Sequence, residues 1–381
     1  MAITRHPMRP GGTRATALPS HGRAHNLSLV LQTLHSTGAM SRADLSRTLG
    51  LTRVTVSDLV AELIERSHVI ELGPSEKGRP GKPATLIDLN RRGLQIIGLD
   101  LAENNVLRAA VMDLDGNILH REQTAVGAER GQQVTALVLE LAARASTAAS
   151  APLLGIGVGT PGVVDPDGVV LTAPNLAWDQ VPLRELLEEA TGLPVLVAND
   201  ADAAVLAEYT FGAGASDMIL VKIGRGVGSG LMVNGQRARG VHSAAGEIGH
   251  VVVGTDGGAQ CPCGKRGCLE TWLSVPVLER GVARGAAGSG QAPQEVLHTA
   301  GERLAVALAP VVAALDLAEV VLSGPPELLQ GTLLDAVRRT LAERMLPHRP
   351  PQLVVRLAEE PHDVVLRGTA VMVLWNQLGV A

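Results

Sequence analysis

A chain of 381 residues, 46% of them hydrophobic, has room for two or three domains and enough apolar material for real cores. Five aromatic residues are too few for the stacking platforms that grip single-stranded nucleic acid. Residues 1–95 carry 13 basic and 7 acidic side chains, against 20 and 31 in the remainder, so a polyanionic partner is expected for the head alone. No apolar run of membrane-spanning length and no signal-peptide core is read, so no membrane partner is expected. Three cysteines within eight residues cannot form a disulfide framework, and a cytoplasmic, nucleoid-associated protein is expected.

Residues 1–24 hold Arg5, Arg9, Arg14 and Arg23 with no acid and read as a disordered basic arm. From Asn26 the spacing of Leu27, Val30, Leu31 and Leu34 predicts a helix ending at Gly38. Ser41 caps a second helix and Thr52 a third, with a tight turn at Gly50 between them. Val69–Leu72 and Pro83–Leu89 read as a hairpin. Past Asn90 the period changes to strands at Ile96–Leu101, Val106–Asp113 and Ile118–Val126. A helix at Val134–Ala149 and a strand at Leu153–Val158 follow. Met218–Ile223, Gly230–Asn234 and a short strand near Arg239–Val241 repeat the meander, which predicts two related α/β lobes facing a cleft. Leu304–Leu315, Leu333–Leu346 and Val364–Leu378 read as helices, and Val320–Leu322 as a strand.

The head has the layout of a helix–turn–helix, with Val56, Val60 and Leu63 inward and the start of the third helix outward. Thr52, Arg53, Val54 and Ser57 are therefore the candidates for contacts to base edges of double-stranded DNA. The loop from Gly78 to Pro83 makes a wing, with Arg79 and Lys82 suited to a narrow minor groove. The expected domains are an arm over 1–24 and an all-α/winged-helix domain over 25–90. A first lobe over 91–200 plus 365–381 and a second over 201–364 follow.

His250, Cys261, Cys263 and Cys268 are the ligand set of a structural zinc site, with a C-x-C knuckle as its core. A redox pair is the competing reading of those thiols. Asn199 and Asp200 directly follow an apolar strand, where an α/β fold places its ligand crevice. Glu247 and Glu270 bracket the metal ligands, so one ion would hold both carboxylates toward one spot. Carboxylates together with Asn and His are the donors and acceptors a polyhydroxylated sugar needs. The segment Gly224–Gly230 is either a phosphate-approaching loop or a tight hairpin.

These motifs resemble the ROK family of repressors and sugar kinases. The resemblance rests on Gly246-Glu-Ile-Gly-His250 followed by Cys261-Pro-Cys-Gly-Lys-Arg-Gly-Cys-Leu-Glu270, and also on Gly155–Gly162, Ala173–Asn175 and Asn199-Asp200. It implies an actin-like (ribonuclease H-like) two-lobed α/β fold. It also implies sugar contacts from Asn199, Asp200, Glu247, His250 and Glu270, and zinc held by His250, Cys261, Cys263 and Cys268. The family's kinases use the residue matching Asp200 as general base, and hold ATP phosphates on an Asp-x-Gly-Gly-Thr turn. Here that turn is Asp100-Leu-Ala-Glu-Asn104, Arg225 stands where Thr is usual, Ser323-Gly324-Pro325 loses a glycine, and Asp202 stands where Asn is usual. Glu103 beside phosphate would cost on the order of 1–4 kcal/mol.

The reading that follows is a sugar-responsive repressor with no catalytic residue, Asp200 being a vestigial base and ATP not expected. It acts as a homodimer or homotetramer on a palindromic operator. The alternatives are an active ATP-dependent sugar kinase with a DNA-binding head, or a regulator answering to a sugar phosphate or a protein partner.

Overall fold

The structure is a computed structural model, and it describes residues 19–74, 84–103, 105–253, 258–346 and 353–379. The chain divides at Leu89/Asn90 into two compact units.

The first unit runs α1 (Pro19–Thr37), β1 (Met40–Ser41), α2 (Arg42–Leu49), α3 (Arg53–Glu65), β2 (Val69–Pro74) and β3 (Thr85–Leu89). Local rules set its helices. Ser41 Oγ accepts the Asp44 N–H at 3.1 Å, Gly50 ends α2 at φ 66°, and Thr52 Oγ1 accepts the Thr55 N–H at 3.2 Å. Leu34, Leu45, Val56, Leu59, Val60 and Leu63 form its buried face. The first helix starts at Pro19 and not at Asn26, which takes Arg23 out of the expected arm: its Nη2 lies 2.6 Å from Glu62 Oε2. The remainder of that arm, residues 1–18, lies outside the described residues. The hairpin gains a third strand the sequence did not signal, in the order β1-β3-β2, because a two-residue strand has no periodicity to read.

The second unit opens with β4 (Gln95–Asp100), β5 (Val106–Met112), β6 (Ile118–Ala125), α4 (Gln132–Ala148) and β7 (Leu153–Thr160). A small sheet follows, made of β8 (Val163–Val164), β9 (Val170–Ala173) and β10 (Trp178–Val181). Then come α5 (Leu183–Thr191), β11 (Val195–Asn199) and α6 (Asp200–Thr210). The second half contains β12 (Met218–Ile223), β13 (Val227–Val233), β14 (Gln236–Arg237), α7 (Glu270–Leu273), α8 (Val275–Ala286) and α9 (Pro293–Leu315). It closes with β15 (Glu319–Ser323), α10 (Pro326–Leu329), α11 (Thr332–Arg344), β16 (Val354–Leu357) and α12 (Val364–Leu378).

Two five-stranded sheets result, in the orders β11-β7-β4-β5-β6 and β14-β13-β12-β15-β16. Each joins an antiparallel meander to a parallel set, the actin-like (ribonuclease H-like) two-lobed arrangement expected from the sequence. Helix α12 packs on β4, β7 and α6, and α6 packs in turn on β12 and β13. The approach is close enough that a Cβ at Gly157 would strike the Thr369 backbone, and one at Gly368 the Ala203 carbonyl.

Two strand expectations change. The third strand of the second meander is Gln236–Arg237, not Arg239–Val241, because Asn234 and Gly235, both at positive φ, reverse the chain at once. Strand β13 starts at Val227, so only Gly224–Gly226 form the hairpin turn, closed by Gly224 N–H to Gly226 O at 2.9 Å. By length and composition α9 is apolar enough to cross a membrane, although Glu302 and Arg303 interrupt its apolar run. It is a core helix: Ala300, Leu304, Ala305, Leu308 and Val312 are buried in the second lobe and face α11 and α8.

Candidate functional site

Strand β11 delivers Asn199 and Asp200 to the start of α6. Asn199 is the cap: its Oδ1 accepts the N–H groups of Ala201 (2.8 Å) and Asp202 (3.3 Å), and its Nδ2 donates to Gly162 O at 2.9 Å. Those bonds use Oδ1 and one of the two Nδ2 hydrogens, and they tie the start of the helix to the Gly162 carbonyl.

Asp200 is the first residue of α6, and its Oδ2 lies 3.0 Å from Lys222 Nζ on β12. Burial pulls the Lys222 ammonium down, but Asp200, Asp100 and Glu103 outweigh it and hold the charge above the usual lysine range. Sequence reading missed Lys222, although a lone lysine in the apolar run Met218–Ile223 was a signal.

Glu247 and Glu270 come to the same region. Burial raises the Glu247 carboxyl, His250 opposes this, and the nearby charges of Asp200 and Glu270 add to it. Glu270 Oε2 accepts the Val227 N–H at 3.1 Å, which ties α7 to the hairpin after β12. Asp200, His250 and Glu270 thus all lie within electrostatic reach of Glu247.

The turn after β4 is closed by ion pairs. Asp100, fully buried, accepts from Arg108 Nη2 at 2.6 Å and from the Ala102 N–H at 3.0 Å. The same Nη2 reaches Glu103 Oε1 at 3.1 Å. Arg225 is exposed, and Asn104 lies outside the described residues.

His250, Cys261, Cys263 and Cys268 place one donor atom each within 4.8 Å of all the others. His250 Nδ1 to Cys261 Sγ and Cys263 Sγ to Cys268 Sγ are both 3.6 Å. A tetrahedral ion with bonds of about 2.3 Å to sulfur needs edges of about 3.8 Å, so the donor set fits a four-coordinate soft-ligand cation. With Nδ1 on the metal side, Nε2 of His250 stays available for a ligand. Burial pushes the Cys261 thiol up to about 12 and raises Cys268, while the Lys265 backbone N–H lowers Cys263. A bound cation stabilises all three thiolates at once. Gly264 and Gly267, both at positive φ, shape the knuckle between the cysteines.

On the other side of the first turn of α6, Asp202 and Arg237 line a cavity of about 390 Å³, together with Arg239, Leu206 and Trp375. Arg237 Nη1 lies 2.5 Å from Asp202 Oδ2. Burial lifts the Asp202 carboxyl to about 6, against the pull of Arg237 and Arg239.

In the first unit Thr52, Arg53, Val54 and Ser57 are all exposed at the start of α3, with Val54 at 71%. Arg79 and Lys82 lie outside the described residues.

Residues 96–376 match the ROK family. The chain belongs to it. Over 260 residues it is 33% identical to the xylose repressor of Caldicellulosiruptor bescii, covering 66% of this chain and 64% of that protein, so it spans less than two thirds of that relative. Two ROK structures superpose well. A ROK family transcriptional regulator, a homolog of the E. coli MLC protein, gives a TM-score of 0.80 at 25% identity over 94% of this chain and 98% of its own. The ROK glucokinase of Streptomyces griseus, solved with glucose and AMPPNP, gives 0.64 at 26% identity over 73% and 98%.

Proposed function

We propose that this ROK protein is a sugar-responsive, DNA-binding transcriptional regulator, a repressor of carbohydrate-utilisation genes, whose cleft binds a sugar without phosphorylating it. One observation carries the reading. The likeness to a ROK regulator extends over 94% of the chain, into the helix–turn–helix unit, whereas the glucokinase likeness covers 73%. The closed ion pairs of the Asp100 turn support the loss of phosphoryl transfer, because that chemistry rests on positioned phosphates and stabilised charge.

In this reading Thr52, Arg53, Val54 and Ser57 enter a major groove and Arg79 and Lys82 reach the adjoining minor groove. A homodimer or homotetramer places two heads on a palindromic operator. Asn199, Asp200, Glu247, His250 and Glu270 take the sugar hydroxyls, and Asn199 also caps the helix that carries Asp200. A zinc ion would be held by His250, Cys261, Cys263 and Cys268, and it would supply a cross-link between the Glu247 and Glu270 segments. A sugar that binds one lobe arrangement better than another shifts the population of DNA-competent dimers.

The test is fluorescence anisotropy of the protein on DNA from its own promoter region, across a panel of sugars and sugar phosphates. Release by one compound supports the reading. Operator binding that nothing disturbs favours a partner-controlled regulator, and no operator binding removes the regulator reading.

A further inference from the structure

Strand β12 is apolar at Met218–Val221 and Ile223, with one exception. Lys222 is 11% exposed along its side chain and points its ammonium at Asp200 Oδ2, 3.0 Å away. Asp200 is itself only 15% exposed, at the N-terminus of α6. Around this pair stand Asp100 and Glu103, both bonded to Arg108, with Asp202 on the same turn and Glu247 and Glu270 across the cleft. Lys222, Arg108 and Arg237 are each committed to carboxylates here, and the exposed Arg225 lines a pocket with Glu103.

That arrangement has consequences for Asp200. A general base needs a free lone pair directed at the proton it takes, and the ammonium at 3.0 Å engages Oδ2. With Oδ2 engaged, Oδ1 is left as an acceptor whose direction the lysine fixes. Asp200, Asp100 and Glu103 surround the Lys222 ammonium, so a phosphate placed against it would compete with three carboxylates.

We propose that Lys222 is the positioning residue of the cleft: it presents Asp200 as a fixed acceptor for a ligand hydroxyl, withdraws it from proton abstraction, and restricts this end of the cleft to uncharged polyols. The ligand class rests on the sugar-receptor reading above, whereas the Lys222–Asp200 lock stands on the geometry alone.

The experiment uses the full chain and the variants Lys222→Met, Lys222→Arg, Asp200→Asn and the Lys222→Met/Asp200→Asn double. Melting temperatures are measured at pH 8, and binding of D-xylose, D-glucose and glucose 6-phosphate is measured by calorimetry. Lys222→Met leaves a buried carboxylate without its cation and should lower Tm by about 5–10 °C. Adding Asp200→Asn should recover at least about half of that loss, because the unpaired charge is gone. Lys222→Arg should stay near wild type. The neutral sugar that binds wild type should bind Lys222→Met about tenfold more weakly and Lys222→Arg within about threefold, since one charge-assisted contact is at stake. Glucose 6-phosphate should give no heat.

Additive losses in the double variant overturn the lock, as does a Lys222→Met variant as stable as wild type. Glucose 6-phosphate binding as tightly as a neutral sugar overturns the ligand class. If wild type binds neither sugar, the receptor reading falls, and the stability cycle still decides the lock. Should Lys222→Met fail to fold, Asp200→Asn and Lys222→Arg decide it. Asp200→Asn destabilising, with Lys222→Arg near wild type, supports the lock, and Asp200→Asn without effect overturns it.

Discussion

Asp200 and Asp202, two positions apart in the first turn of α6, are each paired with a cation from the second sheet: Asp200 with Lys222 at 3.0 Å, Asp202 with Arg237 at 2.5 Å. The first pair faces the cleft with Glu247, and the second closes one wall of the cavity that contains Trp375. One helical turn therefore links both regions to the second sheet. Shifting that sheet relative to α6 must strain or break these pairs.

The Asp202 pair makes stability depend on pH. Its folded carboxyl sits at about 6 against an ordinary 3.8, so the protonated form is favoured by folding. That stabilisation is full below 3.8 and is lost as pH rises through about 6, amounting to about 3 kcal/mol. Tm measured from pH 4.5 to 7.5 should fall in wild type relative to Asp202→Asn. Parallel curves would remove Asp202 from this role.

Metal removal should act on the cleft through the knuckle. Wild-type protein should carry one zinc per chain by elemental analysis, and Cys263→Ser should carry none. The variant should keep operator binding at low temperature and lose release by sugar, because the Glu247 and Glu270 segments are no longer tied. Its Tm should drop and should not respond to a chelator.

Glu247→Ala should leave operator affinity unchanged and abolish release by the active sugar. Anisotropy with and without ligand measures both. Release that survives would place the ligand elsewhere.

The outer and inner faces of α3 should separate cleanly. Arg53→Ala and Val54→Asp alter exposed residues and should weaken operator binding by about 1–3 kcal/mol without changing Tm. Leu59→Ala, buried beneath them, should cost about 2–5 kcal/mol of stability. Gel shift and thermal melts distinguish the two outcomes.

Sugar-dependent ADP formation should stay far below the ~1 s⁻¹ at the low end for kinases, and AMPPNP should not raise Tm. Turnover in that range would restore the enzyme reading despite the Asp100–Arg108–Glu103 pairs.

Much of this architecture is written in short stretches of sequence. Ser41, Gly50 and Thr52 set the helix–turn–helix because caps and left-handed glycines act on neighbours a few residues away. His250 and the three cysteines are legible for a similar reason: metal-ligand chemistry restricts the residue types, and the spacing is short. What the sequence did not reveal depended on distant partners. Glu103 read as an isolated obstacle to phosphate, but folding sets it against Arg108 across the β4–β5 hairpin. Asn199 read as a ligand contact, and folding gives its amide a second task, capping α6 and donating one hydrogen to Gly162. Lys222 drew no notice, because a charge inside an apolar strand acquires meaning only when a helix from elsewhere in the chain brings Asp200 to it. Periodicity and caps are properties of adjacent residues, so the sequence alone signalled most helices and strands of the two meanders and pointed to a candidate metal-ligand set. The start of the first helix and the third strand of the second meander needed the structure. Ion pairing in a buried cleft depends on which strands pack together, so only the tertiary structure decided which carboxylates stand free and which are held.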